Sequence, residues 1–388
     1  MGKVRVLIVD DAVVVRKIVS DVLAEDPGIE IVGTAANGRI ALQKLTQVNP
    51  DLVTLDIEMP ELDGLETLKA LRKTHPRLPV IMFSTLTERG ASATIEALTL
   101  GASDYVTKPA NVGSVGVAQQ RVRDELIPKI HALCPSVAAP KAPAPPVVAR
   151  PAASVPPARP MPMPAVPAAS AARVPAGQAG LPDIVAIGVS TGGPNALADI
   201  IPLLPGDFPV PIVITQHMPP MFTKFLADRL DGKSALEVRE AAGGEELRPG
   251  VVYIAPGDYH MVLKRRGTSV VTALNQNPPE NSCRPAVDVM FRSVHEVYGS
   301  AVLALILTGM GQDGLHGCEV IKAAGGSVLA QDEATSVVWG MPGFVARAGL
   351  ADRVLPLGLI AGELVARTEP VRLRRNVANM VAARAARG

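Results

Sequence analysis

From Pro135 to Pro182 the chain is almost wholly proline, alanine and valine, with a few arginines and serines. Prolines delete backbone donors and no apolar period survives there, so the stretch can neither extend a helix nor join a sheet. The remaining residues must therefore fold as separate bodies on either side of a disordered or polyproline-rich tether. A flexible coil of about 45 residues spans roughly 35–40 Å, more if the prolines stiffen it. That reach lets two domains dock in one state and part in another. The boundaries expected are 1–133 for the first domain, 134–181 for the tether, 182–366 for the second domain and 367–388 for a basic extension carrying Arg367, Arg372, Arg374 and Arg375.

Composition narrows the function classes. A hydrophobic content of 48% is enough for real cores, and a net charge of +1 gives no electrostatic argument for nucleic acid or a membrane surface. No apolar run reaches the ~20 residues of a membrane helix, so no direct membrane insertion is expected. Cys134, Cys283 and Cys318 share no metal-ligand spacing. Their odd count, with a charged opening rather than an apolar signal core, fits a cytoplasmic protein.

In the first domain apolar runs alternate with helical patterns. Strands are expected at Val4 to Val9, Ile29 to Gly33, Leu52 to Leu55, Val80 to Phe83 and Ala102 to Val106. Helices are expected around Val14, Ile18, Val22 and Leu23, then Gly38 to Leu45, Leu65 to Leu71 and Ile95 to Leu100. The alternation implies an α/β fold, a doubly wound (βα)5 sheet whose site lies beyond the carboxyl ends of its strands. Asp10, Asp11, Asp56, Ser84 and Lys108 all stand at such ends. Three clustered carboxylates repel one another and want a divalent cation; oxygen donors suit Mg²⁺. Asp56 then becomes a candidate phosphoryl acceptor, with Lys108 neutralising charge and the Ser84 hydroxyl donating to a phosphoryl oxygen.

With Asp10-Asp11, the run Asp56-x-x-Met59-Pro60-x-x-Asp63-Gly64, and Lys108-Pro109, residues 1–133 resemble a response-regulator receiver domain. The resemblance implies phosphorylation of Asp56 by a histidine kinase. It also implies Mg²⁺ held by Asp11, Asp56 and the backbone carbonyl of Glu58, and Tyr105 at the position of an aromatic switch residue. A half-buried strand aromatic is an equal reading of Tyr105.

The second domain opens on Ile184 to Ile187, a buried strand that runs into Gly188-Val189-Ser190-Thr191-Gly192-Gly193-Pro194. This glycine-rich turn fits G-x-S-x-G, which sets a nucleophilic serine at a strand end. Further strands are expected at Val210 to Thr215, Val251 to Ala255, Val270 to Leu274, Val302 to Leu307, Ser327 to Ala330 and Val354 to Leu357. Helices are expected from Leu197, over Met221 to Leu230, and from Arg284 through Val297, giving a second, mostly parallel α/β sheet.

Ser190, His217 and Asp313 stand at the tips of three of these strands. A serine hydroxyl needs a base, an imidazole titrates in the useful range, and a carboxylate orients it. The turns after Ser190, beginning with Thr191, and around Asp313, with Met310 as one candidate, leave backbone amides for an oxyanion. His316 and His260 compete for the role of base, and Asp288 for that of orienting acid. His75 and His131 read as solvated, and His295 as flanking a core. The order Ser, His, Asp differs from the Ser, Asp/Glu, His order of α/β-hydrolases.

Segments Gly188 to Pro194, Gln216 to Pro220, Asn281 to Phe291 and Leu307 to Gly314 resemble the catalytic domain of chemotaxis protein-glutamate methylesterases, a family that joins a receiver to this domain in the same order. The resemblance implies a phosphorylation-activated serine hydrolase with Ser190 as nucleophile, His217 as base and Asp313 as orienting carboxylate, with no cofactor at the esterase site. It implies γ-glutamyl methyl esters on the cytoplasmic domains of chemoreceptors as substrate, receptor glutamine deamidation as a second activity, and a chemotaxis histidine kinase as phosphodonor. The chain departs from that family at Met221, where glycine is usual, at Gln312 for asparagine, and at Ala286 for serine. Two rival readings are weighed against it. A nucleotide-binding domain expects an acidic ribose partner where Gln216-His217 stand, and a transcription factor expects a basic helix-turn-helix after the tether; neither is present.

Overall fold

The computed structural model describes residues 2–108, 115–135 and 181–385, with side chains through 373. Pro109, the body of the tether, and the side chains of Arg374 and Arg375 lie outside the described residues. The first sheet contains β1 (Val4–Val9), β2 (Ile29–Ala35), β3 (Leu52–Asp56), β4 (Val80–Ser84) and β5 (Asp104–Thr107). Its order is β2-β1-β3-β4-β5, parallel throughout. The helices are α1 (Val13–Ala24), α2 (Gly38–Val48), α3 (Gly64–Thr74) and α4 (Glu88–Thr99). A fifth, α5, begins as Val115–Arg121, passes through a π-helical turn at Val122–Leu126 and continues as Ile127–Leu133.

Every residue of β3, β4 and β5 is buried. Parallel strands covered by helices on both faces need such continuous apolar runs. In α1 the expected core residue Val14 is exposed, at 67%, and Val15 takes its place at 3%. The buried face is Val15, Ile18, Val19, Val22 and Leu23, the i, i+3, i+4, i+7, i+8 stripe of an amphipathic helix, which leaves Val14 beside it and toward solvent.

The second domain holds a seven-stranded sheet in the order β14-β13-β12-β6-β7-β9-β8, again wholly parallel. Its strands are β6 (Ile184–Val189), β7 (Ile212–Gln216), β8 (Glu237–Glu240), β9 (Val251–Ile254), β12 (Val302–Ile306), β13 (Ser327–Gln331) and β14 (Arg353–Leu355). The expected strand near Val270 stands outside this sheet. It forms β11 (Ser269–Asn275), antiparallel to β10 (His260–Arg266), in a separate hairpin. A tight reversal at Gly267, φ +62°, connects the two. Such a turn allows antiparallel pairing, whereas a parallel pair needs a long crossover.

The helices of this domain are α6 (Gly193–Ile200), α7 (Phe222–Asp231), α8 (Val287–Tyr298), α9 (Leu315–Ala323), α10 (Met341–Arg347) and α11 (Leu357–Ala385). The last runs unbroken through residue 366, where the sequence places the start of a basic extension. Leu357 begins this helix and does not end a strand. Arg367 pairs with Glu363 at 2.8 Å, and Arg372 with Asp207 at 3.1 Å.

Strand β6 is central. The chain leaves it towards β7 and returns on its other side as β12, so the order reverses at β6. Ligands in open α/β sheets bind outside the carboxyl ends of the strands at such a reversal.

Candidate active site and phosphorylation centre

Ser190 directly follows β6 at this reversal. Its amide donates to Thr308 O at 3.0 Å, and its carbonyl accepts from Gly193 N at 2.8 Å. Gly192 lies at φ +79°, the left-handed conformation the turn into α6 requires. A Cβ on Gly309 would come 2.8 Å from Ser190 Cβ, so only glycine lets the loop after β12 approach so closely. Ser190 Oγ forms no hydrogen bond to any described residue. The amides of Thr191 and Met310 likewise donate to no described residue, which leaves them open to an anionic oxygen at this edge.

His217 directly follows β7, whose Gln216 pairs with Val189 of β6. Its amide donates to Val189 O at 3.2 Å, which fixes its backbone beside Ser190. His217 Nε2 lies 2.8 Å from Asp313 Oδ2. The three residues predicted from sequence thus meet at one edge, although Ser190 Oγ and the imidazole are not hydrogen-bonded in this arrangement.

Asp313 also serves the N-terminus of α8. Residue Ala286 occupies the N-cap and has no side-chain oxygen. In its place Asp313 Oδ2 accepts from Val287 N at 2.7 Å, and Oδ1 accepts from Asp288 N at 3.0 Å. First-turn amides lack helical partners, and the helix dipole favours an anion there. Asn281 Nδ2 adds a bond to Asp313 Oδ1 at 2.9 Å and another to Asp288 Oδ2 at 2.9 Å. Burial disfavours the Asp313 carboxylate, but His217 and the α8 amides outweigh it and hold its pKa below the usual value. Burial likewise opposes charge on His217, yet the Asp313 hydrogen bond, reinforced by Cys283, raises the imidazole to about 10.

The sequence reading missed Cys283. Its sulfur, a nitrogen of His217 and a carboxylate oxygen of Asp313 lie within 4.8 Å of one another. The only signal was its place inside the Asn281 to Phe291 segment. The other histidines stand elsewhere. His260 is buried, with Nε2 on Pro278 O and Nδ1 accepting from Ala286 N. His316 is exposed and pairs with Glu319. Asp288 accepts from Gly317 N at 2.6 Å, with no bond to His217. His75 caps the end of α3, and His295 Nδ1 is buried without a partner among the described residues. His131, expected to be solvated, instead pairs with Asp26 at 3.0 Å, because α5 folds back over the start of β2. Met221 adopts φ +71°, a conformation that glycine takes without strain and methionine does not.

The receiver closes over this edge. Asp104 Oδ2 accepts from Thr191 Oγ1 at 2.9 Å and pairs with Lys129 at 2.8 Å. Tyr105 stacks on Phe222 of α7 with ring centroids 5.0 Å apart, and Asn195 Nδ2 donates to Ala102 O at 3.3 Å. A cavity of about 630 Å³ between the domains is lined by Ser190, His217, Cys283 and Met310 on one side and by Asp104 and Lys129 on the other. Tyr105 is thus a buried interface aromatic, at 7% exposure.

At the far end of the receiver, Asp10, Asp11 and Asp56 gather their carboxylates at the β1/β3 switch point. Lys108 Nζ lies 2.7 Å from Asp56, 3.3 Å from Asp10 and 3.8 Å from Asp11. Burial and the neighbouring Asp10 charge push Asp56 up to about 7 despite Lys108. Asp10 Oδ2 is buried, with Lys108 at 3.3 Å and no hydrogen-bond donor among the described residues. One ammonium for three carboxylates leaves negative charge over, so this donor set fits a hard divalent cation such as Mg²⁺. The carboxylate of Glu58 points away to Arg89 at 3.7 Å, which is compatible with a role for its carbonyl. The Ser84 hydroxyl is turned into α4, accepting from Thr94 Oγ1 at 2.6 Å and donating to Gly90 O at 3.1 Å.

Comparison with known proteins agrees with this two-part arrangement. The family profile described as CheB methylesterase matches residues 185–364, and that of the response regulator receiver domain matches residues 6–116. A protein-glutamate methylesterase/protein-glutamine glutaminase of Trichodesmium erythraeum is 52% identical over 95% of this chain and 99% of its own. One of the same description from Nocardioides sp. is 54% identical over 95% of this chain and 96% of its own. The solved catalytic domain of Thermotoga maritima CheB methylesterase is 51% identical, covering 48% of this chain and 98% of that one, with a TM-score of 0.47. No helix among the described residues is long and apolar enough to cross a membrane. The chain belongs to the protein-glutamate methylesterase/protein-glutamine glutaminase family, a receiver domain joined to a methylesterase domain.

Proposed function

We propose that this protein is a phosphorylation-activated serine hydrolase of the cytoplasm. It removes methyl esters from glutamate side chains on the cytoplasmic domains of chemoreceptors, and by the same chemistry deamidates receptor glutamines. Ser190 Oγ attacks the ester carbonyl while His217 takes its proton and Asp313 stabilises the imidazolium. The amides of Thr191 and Met310 hold the oxyanion. His217 then returns the proton to the departing methanol, and water, deprotonated in the same way, releases the acid. The observation that carries this reading is the 2.8 Å bond from His217 to Asp313 at the strand edge where the Ser190 hydroxyl stands with no hydrogen bond to any described residue.

Regulation follows from the roof of the cavity. With Asp104 on Thr191 and Tyr105 on Phe222, the docked receiver narrows access for a receptor helix. A chemotaxis histidine kinase donates the phosphoryl group to Asp56. Asp10, Asp11, Asp56 and the Glu58 carbonyl would hold Mg²⁺, which when bound neutralises phosphoryl charge. Lys108 neutralises more of that charge, and Ser84 and Tyr105 rearrange with the phosphorylated state. That state favours the undocked arrangement and opens the site. The test is methanol release from methylated receptor, with and without a small-molecule phosphodonor. Ser190→Ala should abolish release while leaving Asp56 phosphorylation intact; normal turnover in that variant removes the nucleophile assignment.

A further inference from the structure

We infer that Cys283, His217 and Asp313 form a binding site for a thiophilic divalent cation, of which zinc is the type, and that its occupation silences the esterase. That the ion binds rests on the cluster alone; that it silences turnover rests on the reading of His217 as general base.

The ligand atoms are one sulfur, one imidazole nitrogen and one carboxylate oxygen, all within 4.8 Å of one another. Zinc takes sulfur at about 2.3 Å and nitrogen or oxygen at about 2.0–2.2 Å in a tetrahedron, which sets its ligand atoms roughly 3.3–3.7 Å apart. His217 Nε2 and Asp313 Oδ2, now 2.8 Å apart, would part slightly, and the sulfur, no farther than 4.8 Å from its partners, would draw in, so side-chain adjustment alone brings the trio to that spacing. Three protein ligands leave a fourth position for water, and the cavity supplies the room for it.

The surroundings fix the ligands. The Asp313 carboxylate is already oriented by Asn281 and by the amides of Val287 and Asp288, the kind of outer support that metal ligands use. Asp288, buried and joined to Asp313 through Asn281, adds negative charge nearby. Cys283 is partly exposed in the cavity, whereas Cys134 and Cys318 are buried in the cores of their domains. Only Cys283 of the three thiols is open to an ion from solvent.

Binding balances as an exchange of protons for metal. The thiol releases its proton to solvent, as does the imidazolium where it is charged, and the cation takes both places. With its nitrogen on the metal, His217 can no longer accept the proton of Ser190. Affinity should therefore rise with pH.

The probe is Co²⁺ added to the full chain in excess Mg²⁺, which occupies the oxygen-only receiver cluster. Coordination to Cys283 produces a thiolate-to-cobalt charge-transfer band saturating at one equivalent. The band should persist in Ser190→Ala and vanish in Cys283→Ser. Outer-shell partners alone are worth about 10–100-fold in affinity, so loss of this ligand should weaken binding by at least about 100-fold. In turnover, zinc should suppress methanol release by the wild type, a chelator should restore it, and Cys283→Ser should need correspondingly more zinc relative to its own metal-free rate. Absence of the band in the wild type, or an equal band in Cys283→Ser, overturns the site. A normal band with turnover unaffected by bound zinc overturns the inhibition and the assignment of His217 as base, while Ser190→Ala tests the nucleophile separately.

Discussion

Replacing Asp104 with alanine removes a receiver carboxylate from the roof of the catalytic cavity without touching the triad. The carboxylate is buried at 5% exposure and accepts the Thr191 hydroxyl at 2.9 Å across the interface. A hydrogen bond to a charged group contributes about 1.5–3 kcal/mol, which is about 10–150-fold in the ratio of docked to undocked receiver. Desolvation of Asp104 offsets part of this, so the lower end is expected. Lys129 keeps the Tyr105 carbonyl at 2.8 Å and the Tyr105 ring at 5.3 Å, so β5 retains its other supports. In a methanol-release assay, basal turnover should rise by roughly that factor, up to the ceiling set by phosphorylated wild type. The phosphodonor response should shrink in proportion. Asp104→Asn, which keeps an acceptor oxygen, should give a smaller rise. An unchanged basal rate in a variant that is folded and still phosphorylated would refute the view that this contact holds the site closed.

Asp313→Ala strips the acceptor from two first-turn amides of α8 and should cost about 2–4 kcal/mol in urea unfolding. Asp313→Asn should cost less while lowering turnover about 10⁴-fold, the penalty of a misoriented histidine; equal stability losses would contradict the capping role. The raised pKa of His217, about 10 against an ordinary value near 6.5, has two consequences of opposite sign. The imidazolium–Asp313 pair lends its full stability below about pH 6.5 and loses it as pH rises through about 10. The neutral base becomes more abundant over the same window, so basal turnover should climb steadily from about pH 7 towards 10, and a plateau reached near neutrality would contradict it. Asp56→Asn, or removal of Mg²⁺ with a chelator, should abolish the phosphodonor response and leave basal turnover; a full response in either case would move the switch elsewhere.

The features legible in the sequence were those written in neighbouring residues. Apolar runs such as Val302 to Leu307 announced buried strands, because a parallel strand covered on both faces has no polar side to show. Polar residues stopping such runs, Asp56, Ser190 and His217 among them, marked the carboxyl edge where a doubly wound sheet places its chemistry. Strand β8 reads Glu-Val-Arg-Glu at the sheet edge, where burial is incomplete and no apolar run forms, so the sequence carries no mark of it. Of the β10–β11 hairpin the sequence marks only the run Val270 to Leu274, and a single apolar run does not reveal which strand it pairs with.

What the tertiary structure decided concerns groups distant in sequence. Ala286 shows only that α8 lacks a capping oxygen; that Asp313 supplies it depends on β12 ending beside that helix. Cys283 carries no sign in its neighbours that it will stand against His217, 66 positions earlier in the chain. Thr191 and Asp104 lie in different domains, 87 positions apart in the chain. Local pattern governs which segments become strands and helices because that choice is settled by neighbours a few residues away. Which side chains then share a proton, a cation or an interface is settled by the packing of whole elements, and the spacing of residues along the chain carries no record of it.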